Sequence, residues 1–368
     1  IETRPPGRYV STDCACGDGS TIVEKREVKK PEQNQSRNEE KVMITKIYPI
    51  GELQTYKYVV ICSQYKGKIL LSRHKMRTTW ETQGGHIEKG ETPLEAAKRE
   101  LYEESGVTDY YIAPLCDYWA GDSEGTGANG MIFKAVIHKL GAIPESEMAE
   151  VKTFDSLPEK LTYPAITPEL FRYLKENGKT LSVPIAKMLL KEAASCNPGQ
   201  WEQHCEFTAE AAEKIALECE GLDPEKAYVF GLLHDIGRRF GVAQLAHVYN
   251  GYHYLLELGY QEAAKIALTH SFVHGKIENY LGKFDISKEK QKELVLLLQK
   301  TQFDDYDYLI QLCDAIAGAD GIVSLEERME DVKSRYGYYP QEMWDKTVEL
   351  KRYFENKMQK NLYDIVKG

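Results

Sequence analysis

The hydropathy pattern of the chain changes character once, and that change constrains the architecture more than any other feature. Up to Tyr173, short runs rich in Val, Ile, Leu and Tyr are interspersed with stretches of helical spacing; from Pro184 to Val366 the spacing is almost entirely helical. Between them stands Glu176-Asn177-Gly178-Lys179, a polar break with a helix-ending glycine. The expectation is a multidomain α+β protein, with a mixed domain over 43–176 followed by an all-α domain over 184–368. At 368 residues the chain is long enough for two hydrophobic cores. In the first part, Tyr56–Cys62 and Lys68–Ser72, joined at Tyr65-Lys66-Gly67, read as a hairpin. Thr92–Ser105 reads as a helix, Tyr110–Leu115 and Met131–His138 as strands, and Pro168–Lys175 as a closing helix. In the second part, breaks at Asn197-Pro198-Gly199, Gly221–Pro224, Gly237–Gly241 and Gly318–Gly321 separate helices of ordinary length. Residues 1–42 differ from both. After Val28 they hold almost no apolar side chain up to Lys41, too little to offset ordering entropy, so this extension reads as linker or disordered chain.

The charge balance narrows the function classes. Asp and Glu number 57 against 47 Lys and Arg, a formal net charge of -10, which argues against a binder of duplex nucleic acid and leaves room for anionic substrates held through cations. The longest apolar runs, Tyr58–Cys62 and Leu294–Leu298, are far too short for a bilayer, so no membrane association is expected. Only Cys14 and Cys16 of the eight cysteines lie close together, which fits reduced thiols rather than a disulfide framework. No secretory signal is visible at Ile1, and the expected location is the cytoplasm. An oligomer is left open.

The most informative stretch runs from Gly85 to Val107. Thr92-Pro93-Leu94-Glu95 is a capping box with proline at the first helical position, so a helix starts there on local grounds alone. Along it Glu100, Glu103 and Glu104 stand at i, i+3 and i+4, three carboxylates on one face beside an apolar stripe of Leu94, Ala97 and Leu101. Acids so close repel unless divalent cations occupy the space, and hard Mg²⁺ or Mn²⁺ prefers oxygen ligands and phosphates. Gly85 and Gly90 are read as allowing the preceding loop to turn tightly. A Glu-rich face on an arbitrary helix is ordinarily just solvated.

The spacing departs from that bland reading. Gly85, five residues, Glu91, seven residues, Arg99-Glu100-Leu101, one residue, Glu103-Glu104, one residue, Gly106-Val107 resembles the Nudix box at every specified position. The resemblance to Nudix hydrolases implies an α/β/α sandwich that hydrolyses a nucleoside diphosphate linked to another group, by water attack on phosphorus with Mg²⁺ or Mn²⁺. It implies that Glu100, Glu103 and Glu104 bind metal and that Arg99 orients one of them, a carboxylate not fully engaged with metal taking the proton. A further Glu from a later loop is expected, Glu147 or Glu150, with Glu150 preferred. Gly85 and Trp80 are the expected substrate contacts, Trp80 either stacking on a base or filling the core. One position departs from the family: Gln83 stands where a proline is usual. The tail Lys152–Pro158 and Leu161–Pro164 is similar to the branch that acts on oxidised purine nucleoside triphosphates.

In the second part, five of nine histidines fall between His204 and His270. The apolar helix Ala227–Leu233 ends in His234-Asp235-Ile236-Gly237, so two metal-competent side chains emerge together where Gly237 is expected to turn the chain. Asp314 lies in the apolar run Leu309–Ala317, where an ionised carboxylate is costly unless paired or bound to a cation. His204, His234-Asp235 and Asp314 resemble the signature of HD-domain metal-dependent phosphohydrolases. That resemblance implies a helical bundle holding one or two divalent transition metals such as Mn, Fe, Co, Ni or Zn, with a metal-bound hydroxide attacking a phosphate ester, most plausibly of a nucleotide. His247 and His270 are the candidates for a second ion, with His253 and His274 competing. Arg238 is the candidate phosphate clamp, weighed against a solvated Arg238-Arg239 pair. Together the readings give a bifunctional hydrolase of nucleotide substrates, with the expectation that the first half feeds a monophosphate to the second; the rival is that one half, more readily the HD half, only binds a nucleotide.

Overall fold

The computed structural model describes residues 12–14, 22–24, 43–122 and 125–367. The expected linker after Glu24 therefore lies outside the described residues. The chain divides into two compact units, Ile1–Gly178 and Lys179–Gly368.

In the first unit, β1 (Thr12–Cys14) and β2 (Ile22–Glu24) pair antiparallel. The main sheet follows with β3 (Met43–Tyr48), β4 (Tyr58–Tyr65), β5 (Lys68–His74) and β6 (Gln83–His86), then α1 (Pro93–Ser105), β7 (Asp109–Asp122), β8 (Gly127–Lys139), β9 (Met148–Phe154) and α2 (Thr167–Asn177). The strand order is β3-β7-β8-β4-β5-β9, with β6 also on β4. β4 and β8 run parallel and the other pairings are antiparallel, so the sheet is mixed. The hairpin expected at Tyr65-Lys66-Gly67 forms: Lys66 and Gly67 both take positive φ, 51° and 75°, the backbone that a tight two-residue turn requires. β7 runs well past the expected Leu115 because the register shift between Pro114 and Cys116 absorbs the proline that would otherwise stop the ladder.

Strand alternation assigns the two faces. Cys62 of β4 packs with Leu115, Cys116, Ile132 and Leu170, the last from α2. The opposite parity, Ser72 of β5 and its neighbours, faces α1, where the Ser72 hydroxyl donates to the Glu104 carbonyl. The expected layering of helix, sheet and helix is what the chain forms.

The second unit is helical. It comprises α3 (Val183–Cys196), α4 (Trp201–Leu217), α5 (Pro224–Leu233), a 3₁₀ turn (Ile236–Phe240), α6 (Leu245–Glu257), α7 (Gln261–Thr269) and a second 3₁₀ turn (Ile277–Asn279). Then come α8 (Lys288–Lys300), α9 (Asp305–Ile316), α10 (Leu325–Tyr336), α11 (Gln341–Met358) and α12 (Leu362–Val366). Starts follow local chemistry: Asp223 before Pro224 accepts the Lys226 N–H, and Asp304 and Ser324 form capping boxes. A core of Leu245, Val248, Leu268, Phe272, Leu294 and Leu298 joins α6, α7 and α8. Among the described residues, no helix is long and apolar enough to cross a membrane.

Candidate functional site

The α1 cluster begins at the cap. Thr92 Oγ1 accepts from the Glu95 N–H at 3.3 Å while the Glu95 carboxylate accepts from the Thr92 N–H at 2.8 Å, which fixes the helix start and hence the rotation of the acids along it. Arg99 is the hub of that face. Its Nε and Nη2 donate to the two Glu91 oxygens at 2.9 Å each, Nη1 donates to Glu100 at 2.9 Å and to Glu103 at 3.3 Å, and Nη2 also reaches the His86 carbonyl at 2.9 Å. The Arg99 hydrogen bond holds the Glu91 carboxyl below its ordinary range. Arg99 thus orients three carboxylates rather than the one expected, and Glu91 emerges as its main anchor.

Glu104 is held from β6 and β5. The Gly84 N–H donates to its carboxylate at 2.8 Å. Next to Gly84, Gln83 is fully buried, and its Nε2 donates to Ser72 Oγ at 2.8 Å, which donates in turn to the Glu104 carbonyl at 2.8 Å. The residue that departs from the family pattern is thus wired to the acid-bearing helix. The role read for Gly85 needs correction. It lies in strand β6, and the turn falls at Gly90, φ 90°; a Cβ on Gly85 would sit 2.0 Å from Glu100 Oε1, so glycine is needed there for the carboxylate to reach the strand.

The other candidates of this unit also find places. Glu147 and Glu150 do not sit on a loop together: Glu150 belongs to β9, whose alternating Met148–Phe154 pattern pairs with β5. There it accepts from Arg73 Nε at 3.3 Å and Nη2 at 3.0 Å, while Glu147 meets His74 at 3.1 Å. Trp80 is half-buried, edge-on to Phe154 at 4.9 Å between centroids, with Arg73 and Lys152 over its ring at 5.9 and 6.0 Å.

The second unit gathers its candidates more tightly. The ligand-competent atoms of His204, His234 and Asp314 all lie within 4.8 Å of one another, as do those of Asp235, His247 and His270. Six side chains from α4, α6, α9 and the ends of α5 and α7 thus make two adjacent triads, and the His-Asp dipeptide contributes one member to each. Two close approaches build them. Gly231 of α5 meets Ala209 of α4, which brings His234 against His204. Gly237 lies in the 3₁₀ turn that follows the dipeptide, and a Cβ there would meet the His247 carbonyl at 1.9 Å, so glycine at this position also lets α6 carry His247 to Asp235.

The protonation pattern follows from the backbone. His204 Nδ1 bonds the Ala317 carbonyl at 3.0 Å, His234 Nδ1 that of Gly231 at 2.7 Å and His270 Nδ1 that of Ala267 at 3.0 Å, and His247 Nδ1 bonds that of Gln244. A carbonyl only accepts, so every Nδ1 is a donor and Nε2 is the nitrogen turned toward the candidate metal site. These nitrogens face each other, 3.3 Å apart for His204 and His234 and 3.2 Å for His247 and His270. Asp314 Oδ1 is 3.1 Å from His204 Nε2, and Asp235 Oδ1 is 3.0 Å from His247 Nε2. Two imidazole nitrogens and a carboxylate oxygen converge in each triad, so both are candidate sites for a divalent ion with nitrogen and oxygen ligands. Burial pushes His234 down to about 4, keeping its imidazole neutral at ordinary pH. Burial opposes ionisation of both aspartates, yet the surrounding His204 and His234 for Asp314, and Arg238 and His247 for Asp235, hold both carboxyls low.

The arginine pair after the dipeptide is not solvated. Arg239 grips Glu192 of α3 at 2.8 and 2.9 Å and packs over Phe240 and Tyr254, a structural position. Arg238 turns to the centre, where its Nε bonds Asp235. The competing histidines lie elsewhere, His253 on Glu293 at 3.2 Å and His274 on the Glu342 carbonyl at 3.2 Å. Both triads open on a cavity of about 410 Å³ that is also lined by Tyr280, Arg328, Arg335, Tyr336 and Tyr339. Arg328 and Gln311 were not read from the sequence. Gln311 Nε2 donates to the Thr269 and Phe272 carbonyls at 3.0 and 3.4 Å, tying Asp314's helix to the segment bearing His270. No local pattern marks either residue, because tertiary packing alone brings them to the centre.

Comparison with known proteins agrees with the two-part reading. The NUDIX domain family matches residues 55–162 and the HD domain family residues 201–319. The chain is similar to an RNA pyrophosphohydrolase of Mannheimia succiniciproducens, 44% identical over 50 residues, and to one of Photobacterium profundum, 42% identical over 63 residues. These matches cover 14% and 17% of this chain and only 25% and 36% of those proteins. Among solved structures, a variant of the Bacillus subtilis pyrophosphohydrolase BsRppH is 25% identical with a TM-score of 0.33, covering 37% of this chain and 92% of that one. The MutT NUDIX hydrolase from Burkholderia pseudomallei is 20% identical with a TM-score of 0.26, covering 33% and 98%. The chain is a NUDIX domain joined to an HD domain, each of a metal-dependent hydrolase family.

Proposed function

We propose that the chain is a bifunctional hydrolase of nucleotide substrates, residues 43–176 cleaving a pyrophosphate linkage and residues 184–368 a phosphate ester. The observation that carries this reading is that four histidines, each fixed through Nδ1 to a carbonyl, gather Nε2 around the buried Asp235 and the partly exposed Asp314, two donor sets suited to divalent cations. In the first unit, carboxylates of Glu100, Glu103 and Glu104 suit Mg²⁺ or Mn²⁺, and in the second His204, His234, Asp235, His247, His270 and Asp314 suit transition metals. Bound there, such ions supply a water nucleophile and neutralise charge on the phosphoryl oxygens. The chain's own residues do the rest. Arg99 holds Glu91, Glu100 and Glu103 in place, and Glu150 is the candidate proton acceptor, released from Arg73 when it acts. In the second unit Arg238 orients Asp235 and lines the cavity with Tyr280 and Tyr339.

The relatives named RNA pyrophosphohydrolase make a 5′-triphosphate RNA end a substrate to test beside oxidised purine nucleoside triphosphates, with Trp80 as the base contact. Cys62, Cys116, Cys196, Cys205, Cys219 and Cys313 are free thiols, which suits a reducing cytoplasm. Glu103→Gln with Glu104→Gln is expected to lower Mg²⁺-dependent pyrophosphate-bond cleavage at least ~100-fold while phosphate release from a monophosphate ester is unchanged. Both activities falling together would remove the two-centre reading. Cleavage undiminished in this variant would remove the assignment of the first centre.

A further inference from the structure

The HD cavity is also lined by two arginines that the ester-hydrolase reading does not use, one of them beside Asp314. Arg328 and Arg335 both lie on α10, seven residues apart, which is two turns and ~10.5 Å along one helix face. Both line the cavity of about 410 Å³, and both also line a second cavity of about 350 Å³, the two cavities sharing Gln200, Ala319 and these arginines. The α10 face therefore borders both the cavity that holds the triads and the second space.

The two guanidiniums sit differently. Arg328 is the inner one. Its Nη2 is 3.7 Å from Asp314 Oδ1, and its Nη1 is 3.8 Å from Asp331, both longer than hydrogen bonds. Its planar fork is thus close to a ligand carboxylate of the first triad without being taken up by it. Arg335 is the outer one, paired with Asp331 at 2.6 Å in a half-exposed contact. Such surface pairs are worth little, and a phosphate that binds bidentately displaces them readily. Arg238 is the other nearby guanidinium, and its Nε is committed to the buried Asp235.

We propose that Arg328 and Arg335 form an anion-reading wall, so that the HD centre takes nucleotides carrying two separately placed phosphate groups. The group to be hydrolysed lies at the triads, assisted by Arg328, and the second phosphate lies farther along α10 on Arg335. This rests on the reading of the HD half as a phosphate-ester hydrolase and names its substrate class. Arg328 and Arg335 are specificity residues in this scheme, and no step of bond cleavage is assigned to them.

Binding and turnover are read separately, so that the two ideas fail in different ways. The full metal-loaded chain is titrated calorimetrically with non-hydrolysable phosphonate analogues of a nucleoside monophosphate and of the matching nucleoside bisphosphate. A charge-assisted contact to a second phosphate predicts a Kd at least ~10-fold lower for the bisphosphate analogue. Arg335→Gln should cut that ratio below ~3-fold and Arg335→Lys should restore part of it, whereas Arg328→Gln should weaken both ligands at least ~10-fold with metal content intact. Equal Kd values in the wild type, or an unchanged ratio in Arg335→Gln, overturn the wall. Phosphate release from the authentic nucleotides tests the other reading: Arg335-dependent binding without any release would uphold the wall and remove the ester-hydrolase assignment.

Discussion

The two candidate centres solve the problem of holding a divalent cation in opposite ways. In the NUDIX half the acids come from one helix, and each already has a protein donor: Arg99 serves Glu100 and Glu103, and the Gly84 N–H serves Glu104. In the HD half the ligands come from separate helices, and their Nε2 atoms face each other at 3.2 and 3.3 Å. The first arrangement is satisfied by its own chain, so an ion arriving with a phosphate substrate must compete with hydrogen bonds already made. On the proposed reading the second is completed by a shared cation, which would then be held as part of the folded state of that half. The difference teaches that two metal-dependent centres on one chain need not hold metal with equal tenacity.

The sharpest way to break that comparison is to remove ligands from the HD half. His234→Ala with Asp235→Ala takes one member from each triad. The expected outcome is loss of retained transition metal, a fall in phosphate-ester hydrolysis of ~1,000-fold or more, and a lower unfolding temperature for this half only. Metal analysis after dialysis, run beside the Mg²⁺-supported pyrophosphatase assay, checks it. If the variant kept its metal, or if the parent protein lost HD metal as easily as Mg²⁺, the contrast would fail.

A smaller effect should separate the halves by pH rather than by metal. Lys134 of β8 is almost fully buried beneath the end of α2, where its Nζ bonds the Gly178 carbonyl. Burial pushes its ammonium down from 10.5 to about 7. Between these values the unfolded chain holds a proton that the folded chain has lost, so stability of the NUDIX half rises as pH climbs through that window and levels off below about 7, where both states are protonated. From pH 7.5 to 9.5 the contribution is at most about 3 kcal/mol. Lys134→Met should flatten the slope of the NUDIX unfolding transition relative to the parent and leave the HD transition alone. Equal slopes in the two proteins would show that Lys134 keeps an ordinary ammonium when folded.

What could be read from the sequence, and what could not, divides along the same line. The capping box at Thr92, the spacing from Gly85 to Val107 and the dipeptide His234-Asp235 are local signals, while His204, His247, His270 and Asp314 came from the family resemblance; the structure brings the six HD-half candidates together in two triads. The layering was also legible, because period-two and helical patterning switch at Gly178. The misread details depend on tertiary contact. Gly85 was read as turning the chain, but it lies in a strand and makes room for Glu100 Oε1; Gly237, besides lying in a turn, makes room for the His247 carbonyl. Glu150 belongs to β9, whose pairing with β5 no local pattern announces. Arg328 reaches Asp314 only because α10 folds back over α9.

Gln83 offers the finest test, because its amide supports one centre by a route the other lacks. The chain of hydrogen bonds from Gln83 Nε2 through Ser72 Oγ to the Glu104 carbonyl fixes the last turn of α1 against β5 and β6, beside the Gly84 contact to the Glu104 carboxylate. Gln83 Oε1, by contrast, is buried without a hydrogen-bond partner. Leucine at this position removes a useful donor and a costly orphan acceptor together, so the net change in stability should be small, within about 1 kcal/mol. Positioning of Glu104 should suffer more than stability does. For Gln83→Leu we expect kcat for pyrophosphate-bond cleavage to fall ~10-fold, with more Mg²⁺ needed for half-maximal rate and KM little changed. Ser72→Ala interrupts the same relay, so the double variant should be no worse than the poorer single one. Fully additive losses, or a fall in KM-dependent binding alone, would show that the relay packs the core without setting the acid, and HD metal content measured on each variant confirms that the other centre is untouched.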